Sequence, residues 1–302
     1  MSALAFALVI VAALLHAAWN LVAKKAGGDN RFVLLTAVMI VVVWLPVGLW
    51  AAWPAEGRAG LPGWGWREWG FVLASGVVHL AYFVTLLRGY RASDLTVVYP
   101  VARGTGPLLS SVFAVLVLGE HLSSLGGAGV LGVTLGVFLI AGGPGLLKSL
   151  MGQSGDAAQR ARVKAGLLYG AATGCLIAGY TVIDGYAVKH LLISPILIDY
   201  FGNLLRIPFL LPQALRRRGH TWEAWRLQWR HALVVALLSP MAYVLVLYAT
   251  RLAPLSHVAP AREVSMLFAA LIGGRLLGEG DRWLRLLGAA CIAVGVMALA
   301  LG

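Results

Sequence analysis

The residues best placed to do chemistry in this sequence are ionisable side chains set inside long apolar runs. Arg103 lies about a third of the way into the run 95–118, and Arg262 and Glu263 lie in the run 256–277. Asp184 stands deep in the run 163–188, four residues after Tyr180. At the centre of a membrane helix a charge costs about 2.5–3.5 kcal/mol on insertion scales, so it faces a cavity or a partner. A guanidinium can hold a carboxylate or phosphonate bidentately, which makes Arg103 and Arg262 candidate contacts for an anionic or zwitterionic molecule. An intramembrane carboxylate either neutralises a cation or carries a proton. Glu263 and Asp184 would temper the arginines, and Asp184 is also the candidate for a coupling proton. A purely structural ion pair, with Glu263 or Asp184 neutralising an arginine, accounts for the same residues.

Polar aromatic faces accompany these charges. His16, Trp19 and Asn20 fall at i, i+3 and i+4, as do His79, Tyr82 and Phe83; at these spacings side chains share one helix face. Tyr99, Arg103 and Gly106 form a further face, where Pro100 and Pro107 are expected to loosen backbone pairing. With Tyr180 and Tyr243, these rings suit a ligand that has a polar group on an apolar body. Each histidine is equally explained as a hydrogen-bonded packing residue.

The elements that must position these groups are membrane helices. Of 302 residues, 60% are hydrophobic and 12% charged, and the mean hydropathy is +0.84. Soluble domains are nearer a quarter charged. Ten runs are long enough to span a bilayer core of about 30 Å, at approximately 2–23, 32–53, 69–90, 95–118, 124–146, 163–188, 195–214, 231–251, 256–277 and 283–302. The first run lacks a basic leader and is followed by Lys24-Lys25, so it reads as a span rather than a cleavable signal. The net charge of +12 comes from clusters between the runs; these orient helices and meet anionic headgroups, and no nucleic-acid-binding face is visible. Cys175 and Cys291 lie in apolar runs with neither disulfide nor metal spacing, and no cofactor motif is present.

The chain repeats itself. Arg103, Gly119, Glu120, Gly129 and Gly136 recur as Arg262, Gly278, Glu279, Gly288 and Gly295, all at an offset of 159 residues. Pro100 pairs with Pro260 and Tyr82 with Tyr243 after small slips. This divides the chain into residues 1–147 and 163–302, joined by a polar linker at 148–162. Five spans per repeat place the halves in opposite orientations, the inverted arrangement that recurs in secondary transporters. Glu120 and Glu279 each end a span after glycine and read as caps at the membrane interface. The glycine faces of spans five and ten suit close helix contact, either within one chain or at the seam of a homodimer.

The run Val98-Tyr99-Pro100-Val101-Ala102-Arg103-Gly104 leading to Leu118-Gly119-Glu120-His121-Leu122-Ser123, with its weaker copy Ala259-Pro260-Ala261-Arg262-Glu263 leading to Leu277-Gly278-Glu279, resembles the EamA domain of the drug/metabolite transporter superfamily, once per half. His16-Ala17-Ala18-Trp19-Asn20 is similar to a branch sometimes labelled phosphonate-associated. The resemblance implies an all-α integral membrane protein of ten transmembrane helices in two inverted five-helix repeats. Its implied function is a permease in the cell membrane (the inner membrane of a Gram-negative cell), working by alternating access on a small metabolite. A lipid-carrier flippase or its accessory subunit shares this fold and stands as the alternative. An intramembrane enzyme is remote: Asp184 and Asp199 lack a Gly-x-Gly-Asp context, and neither a zinc motif nor a nucleophile elbow occurs. Basic residues concentrate in the loops after spans one, five, seven and nine, which places both termini outside the cytoplasm. The resemblance implies cytoplasmic termini instead.

Overall fold

The computed structural model describes residues 1–27, 29–56, 60–93, 95–140, 157–216, 218–273 and 282–302. Its regular structure is helical: α1 (Ala3–Ala26), α2 (Asn30–Val43), α3 (Leu45–Ala52), α4 (Trp66–Ala92), α5 (Leu95–Leu118), α6 (Ser124–Ile140), α7 (Ala157–Lys189), α8 (Pro195–Leu215), α9 (Arg218–Leu252), α10 (Leu255–Ala261), α11 (Val264–Gly273) and α12 (Arg282–Leu301). Among the described residues, five helices are long and apolar enough to cross a membrane, or six if the bent pair α2 and α3 is one span. The pair bends by 54° at Trp44-Leu45-Pro46, where Pro46 has no N–H to continue the ladder. Most of the expected linker and the pair Gly278-Glu279 lie outside the described residues.

Two helices outrun their expected spans. The polar residues Gln159, Arg160, Arg162 and Lys164 join α7, and the segment from Arg218 to Arg230 joins α9. Long unbranched polar side chains lose little rotamer freedom in a helix, so the helices continue past their apolar portions.

The chain forms two compact units. One comprises Met1–Phe6, Val78–Val182 and Leu252–Gly302; the other comprises Ala7–Val77 and Ile183–Arg251. Each draws on both sequence repeats.

In the first unit, α6 and α12 pack through their glycines. A Cβ on Gly129 would fall 2.8 Å from the Gly295 carbonyl oxygen, and one on Gly136 would fall 2.5 Å from that of Gly288. Ascending numbers on α6 meet descending numbers on α12, so the two helices run antiparallel. The repeat offset exchanges the two contacts. These glycine faces therefore pack against each other within the chain. On α7, Gly166, Gly170 and Gly174 lie one turn apart and admit Ser93, Val101 and Thr105, bringing α7 against α5.

In the second unit, Ile193, Leu197, Val188 and Ala51 form a buried core with Trp64 and Val72. A smaller cluster joins Phe32, Leu35, Ala232 and Val235, with Trp19 and Trp225 packed against it.

Candidate functional site

The first unit gathers Arg103, Arg262 and Glu263 where α5 meets the junction of α10 and α11. Helix α5 runs unbroken through Pro100, Arg103 and Pro107, so the expected loosening does not interrupt it. Its antiparallel counterpart does break. Span nine, expected to be continuous over 256–277, stops at Ala261 and resumes at Val264. Pro260 supplies no N–H to the Ser256 carbonyl, and the chain tightens, with the Glu263 N–H returning to the Pro260 carbonyl at 3.0 Å. The Ser256 carbonyl instead accepts from Ser111 Oγ of α5 at 2.9 Å.

Glu263 is buried beside this break. Its side chain is 1% exposed, and Oε2 lies 2.7 Å from Arg103 Nη2. Arg262 Nε approaches the other oxygen at 3.6 Å. Arg103 Nη2 also reaches Ser265 Oγ at 3.4 Å. Two guanidiniums thus flank one carboxylate. Arg103 Nε and both Glu263 oxygens are buried with no aligned hydrogen bond among the described residues, so the 2.7 Å contact is a charge contact. Tyr82, Tyr99 and Tyr180 lie within electrostatic reach of Arg103, and Arg103 in turn influences Tyr90. Tyr180 stacks on His79, with centroids 3.9 Å apart, and meets Tyr82 edge-on at 5.7 Å.

One end of this assembly is clasped by Glu120. Gly119 takes a φ of +66°, a backbone conformation natural to glycine, and turns the chain at the end of α5. The Glu120 carboxylate then accepts from the Leu255 and Ser256 N–H groups at 2.8 and 2.9 Å. The cap expected on the adjacent loop serves instead the first turn of α10, in the other repeat.

The second unit holds the remaining predicted residues. Asp184, fully buried, accepts a short hydrogen bond from the Tyr243 hydroxyl. His16 meets Trp19 edge-on at 4.9 Å, and Asn20 donates to the His16 carbonyl at 2.6 Å. Asp199 accepts from Asn203, whose carbonyl oxygen accepts from Arg206. The donors to Asp184 and Asp199 seen here are thus different residues, Tyr243 and Asn203.

A family model described as the EamA-like transporter family matches residues 3–142 and 164–301, nearly the whole chain and once in each repeat. The chain belongs to the EamA-like transporter family. No curated protein matches this EamA-like transporter. A solved crystal structure of a protein matches it with a TM-score of 0.69 at 18% identity, covering 100% of this chain and 98% of the other; at that identity the likeness shows the fold alone. This member is thus a multi-pass membrane transporter, in contact with bilayer lipid and small substrates.

Of the residues singled out in the sequence, the structure brings together His79, Tyr82, Tyr99, Arg103, Tyr180, Arg262 and Glu263. His16, Trp19, Asn20, Asp184 and Tyr243 belong to the other unit. Sequence reasoning missed Ser111, Ser265 and Tyr90. Tyr90 had a legible signal, since it lies eight residues after Tyr82 on the same helix. A groove of ≈ 400 Å³ between α5 and α6 is lined by Leu108, Val112, Leu116, Val130 and Leu131; its walls offer no charge to recognise a polar cargo.

Proposed function

We propose that this EamA-like transporter is a secondary permease that moves a small anionic or zwitterionic metabolite across the cell membrane by alternating access. The ligand would bind at Arg103, Arg262 and Glu263. The observation that carries this is the arrangement of two arginines around one buried carboxylate, with the buried Arg103 Nε donor meeting no aligned acceptor among the described residues. In a low-dielectric setting a spare guanidinium face favours an anion, and the tyrosines would line the apolar part of the cargo. The His16 and Asp184 groups are proposed as a second polar lining, with Asp184 and Tyr243 offering a place for a coupling proton. We further propose ten spans in two inverted five-helix repeats. Two repeat-related pairs support inversion, since both α6 with α12 and α5 with α10–α11 run antiparallel.

The test is Arg103→Gln, with thermal-shift screening of carboxylates, phosphonates and amino acids followed by flux in proteoliposomes. Anion flux should be lost while the variant remains monodisperse and helical. Because Glu263 is then left less compensated, Arg103→Gln/Glu263→Gln serves as the folding control. Unchanged flux in both would remove Arg103 from the site.

A further inference from the structure

We propose that one end of the second unit is a docking surface for anionic phospholipid headgroups, built around the first third of α9. At 35 residues, α9 is about 52 Å long at 1.5 Å per residue, against a hydrocarbon core of about 30 Å. Its apolar portion begins near His231, so the stretch from Arg218 to Arg230 stands at headgroup level.

That stretch has two faces. Trp225 donates to the Arg31 carbonyl at 3.2 Å and Gln228 to the Ala26 carbonyl at 3.1 Å, fastening one face to the turn between α1 and α2. Thr221 donates to the Ala214 carbonyl and Asn30 to Gln213, which ties in the end of α8. The other face is open: Trp222 is 69% and Trp229 44% exposed, and Arg230 lies over the Trp229 ring at 5.4 Å. Arg218 and Arg226 are exposed beside them.

Folding thus collects charges that the sequence scatters. Lys24 and Lys25 from α1, Arg31 from α2 and Arg216 at the end of α8 join the three arginines in the first third of α9, against only Asp29 and Glu223 among the described residues. Arg31 is paired with Asp29 at 3.7 Å. The remaining bases have no carboxylate in excess to meet. The elements' opposite ends carry Glu56 and Glu68 against Arg67, Lys189 and Arg251, and Arg251 is spent on the Val188 and Ile193 carbonyls. The charge asymmetry is therefore local to one end. Exposed tryptophan beside arginine is the composition of a headgroup-level anchor, and clustered bases attract anionic lipid.

The test is native mass spectrometry of the full chain in detergent, titrated with phosphatidylglycerol or phosphatidylcholine. Wild type should retain phosphatidylglycerol at least tenfold better. Arg216→Gln/Arg218→Gln/Arg226→Gln/Arg230→Gln should lose that preference, whereas lysine at the same four positions should keep it and show that the fold survives. Trp222→Ala/Trp229→Ala should weaken retention of both lipids. An unchanged preference in the glutamine variant would overturn the proposal. So would displacement of phosphatidylglycerol by inorganic phosphate at equal concentration, which would mark a simple anion site.

Discussion

Two copies of one motif meet in the first unit, and they fold differently. Around Arg103, α5 continues through two prolines; around Arg262, the chain stops, turns and restarts. The local difference is small: Arg103 is followed by Gly104, and Arg262 by Glu263. At the break, the Glu263 carboxylate meets Arg103 of the other copy. The broken copy also borrows its hydrogen bonds, taking a side-chain donor from Ser111 and a cap from Glu120, both on or just after α5. A pseudosymmetric sequence has thus produced one self-sufficient helix and one that depends on it.

Removing the carboxylate that joins the copies should have the largest effect. Glu263→Gln leaves Arg103 facing Arg262 without a counter-charge, and breaking a buried pair costs about 3–5 kcal/mol. Reversible unfolding in detergent should show a loss of that order. Arg103→Gln/Glu263→Gln should recover most of it, since no charge is then left facing a like one. Equal losses in the single and double variants would break the comparison.

Next in size is the hinge. Pro260→Ala returns an N–H to the Ser256 carbonyl and should let α10 run on into α11; proline is about 3 kcal/mol less favourable than alanine inside a helix. We expect slower amide exchange over 261–265, a modest gain in stability and reduced flux. Pro107→Ala in α5 should change flux far less, because that helix is already continuous. A drop in flux of the same size in both variants would mean that the two copies do not differ in the way described.

Smallest are the borrowed bonds. Glu120→Gln removes a charged cap and should cost about 1 kcal/mol. Ser111→Ala removes one hydrogen bond, at about 0.5–1.5 kcal/mol. The Ser111→Ala loss, read from the same unfolding curves, should shrink in the Pro260→Ala background, where the Ser256 carbonyl has an internal donor; the Glu120→Gln loss should not, because Glu120 serves the Leu255 and Ser256 N–H groups.

Much of this was legible in the sequence because composition and repetition are physical constraints. Apolar runs of bilayer length require helices, and glycines at one offset require close contact of equivalent helices, which α6 and α12 make. Arg103 and Glu263 were recognisable because an unpaired charge in a membrane is untenable. Other features depended on tertiary context. Both Pro107 and Pro260 free a carbonyl inside an apolar run, so the sequence alone could not tell which helix would continue. The sequence offered Asp184 as a partner for an arginine, and only the structure shows the Tyr243 hydroxyl against it. Glu120 was recognisable as a cap, but its recipient lies 135 residues away. Tyr90 was passed over because a single tyrosine near a helix end carries no spacing signal unless the whole helix is read.

The most direct test of the account is the order of anion affinity across charge variants of the Arg103–Glu263–Arg262 cluster. Counting these side chains alone, Arg103→Gln makes the cluster neutral, wild type carries +1, and Glu263→Gln carries +2. Dissociation constants for the carboxylate or phosphonate that best stabilises wild type should be measured by calorimetry on monodisperse protein. We expect binding to be weakest in Arg103→Gln, intermediate in wild type and tightest in Glu263→Gln, with a cationic analogue of the same size showing the reverse order. Anion affinity that is indifferent to both substitutions, or that falls in Glu263→Gln, would contradict the account.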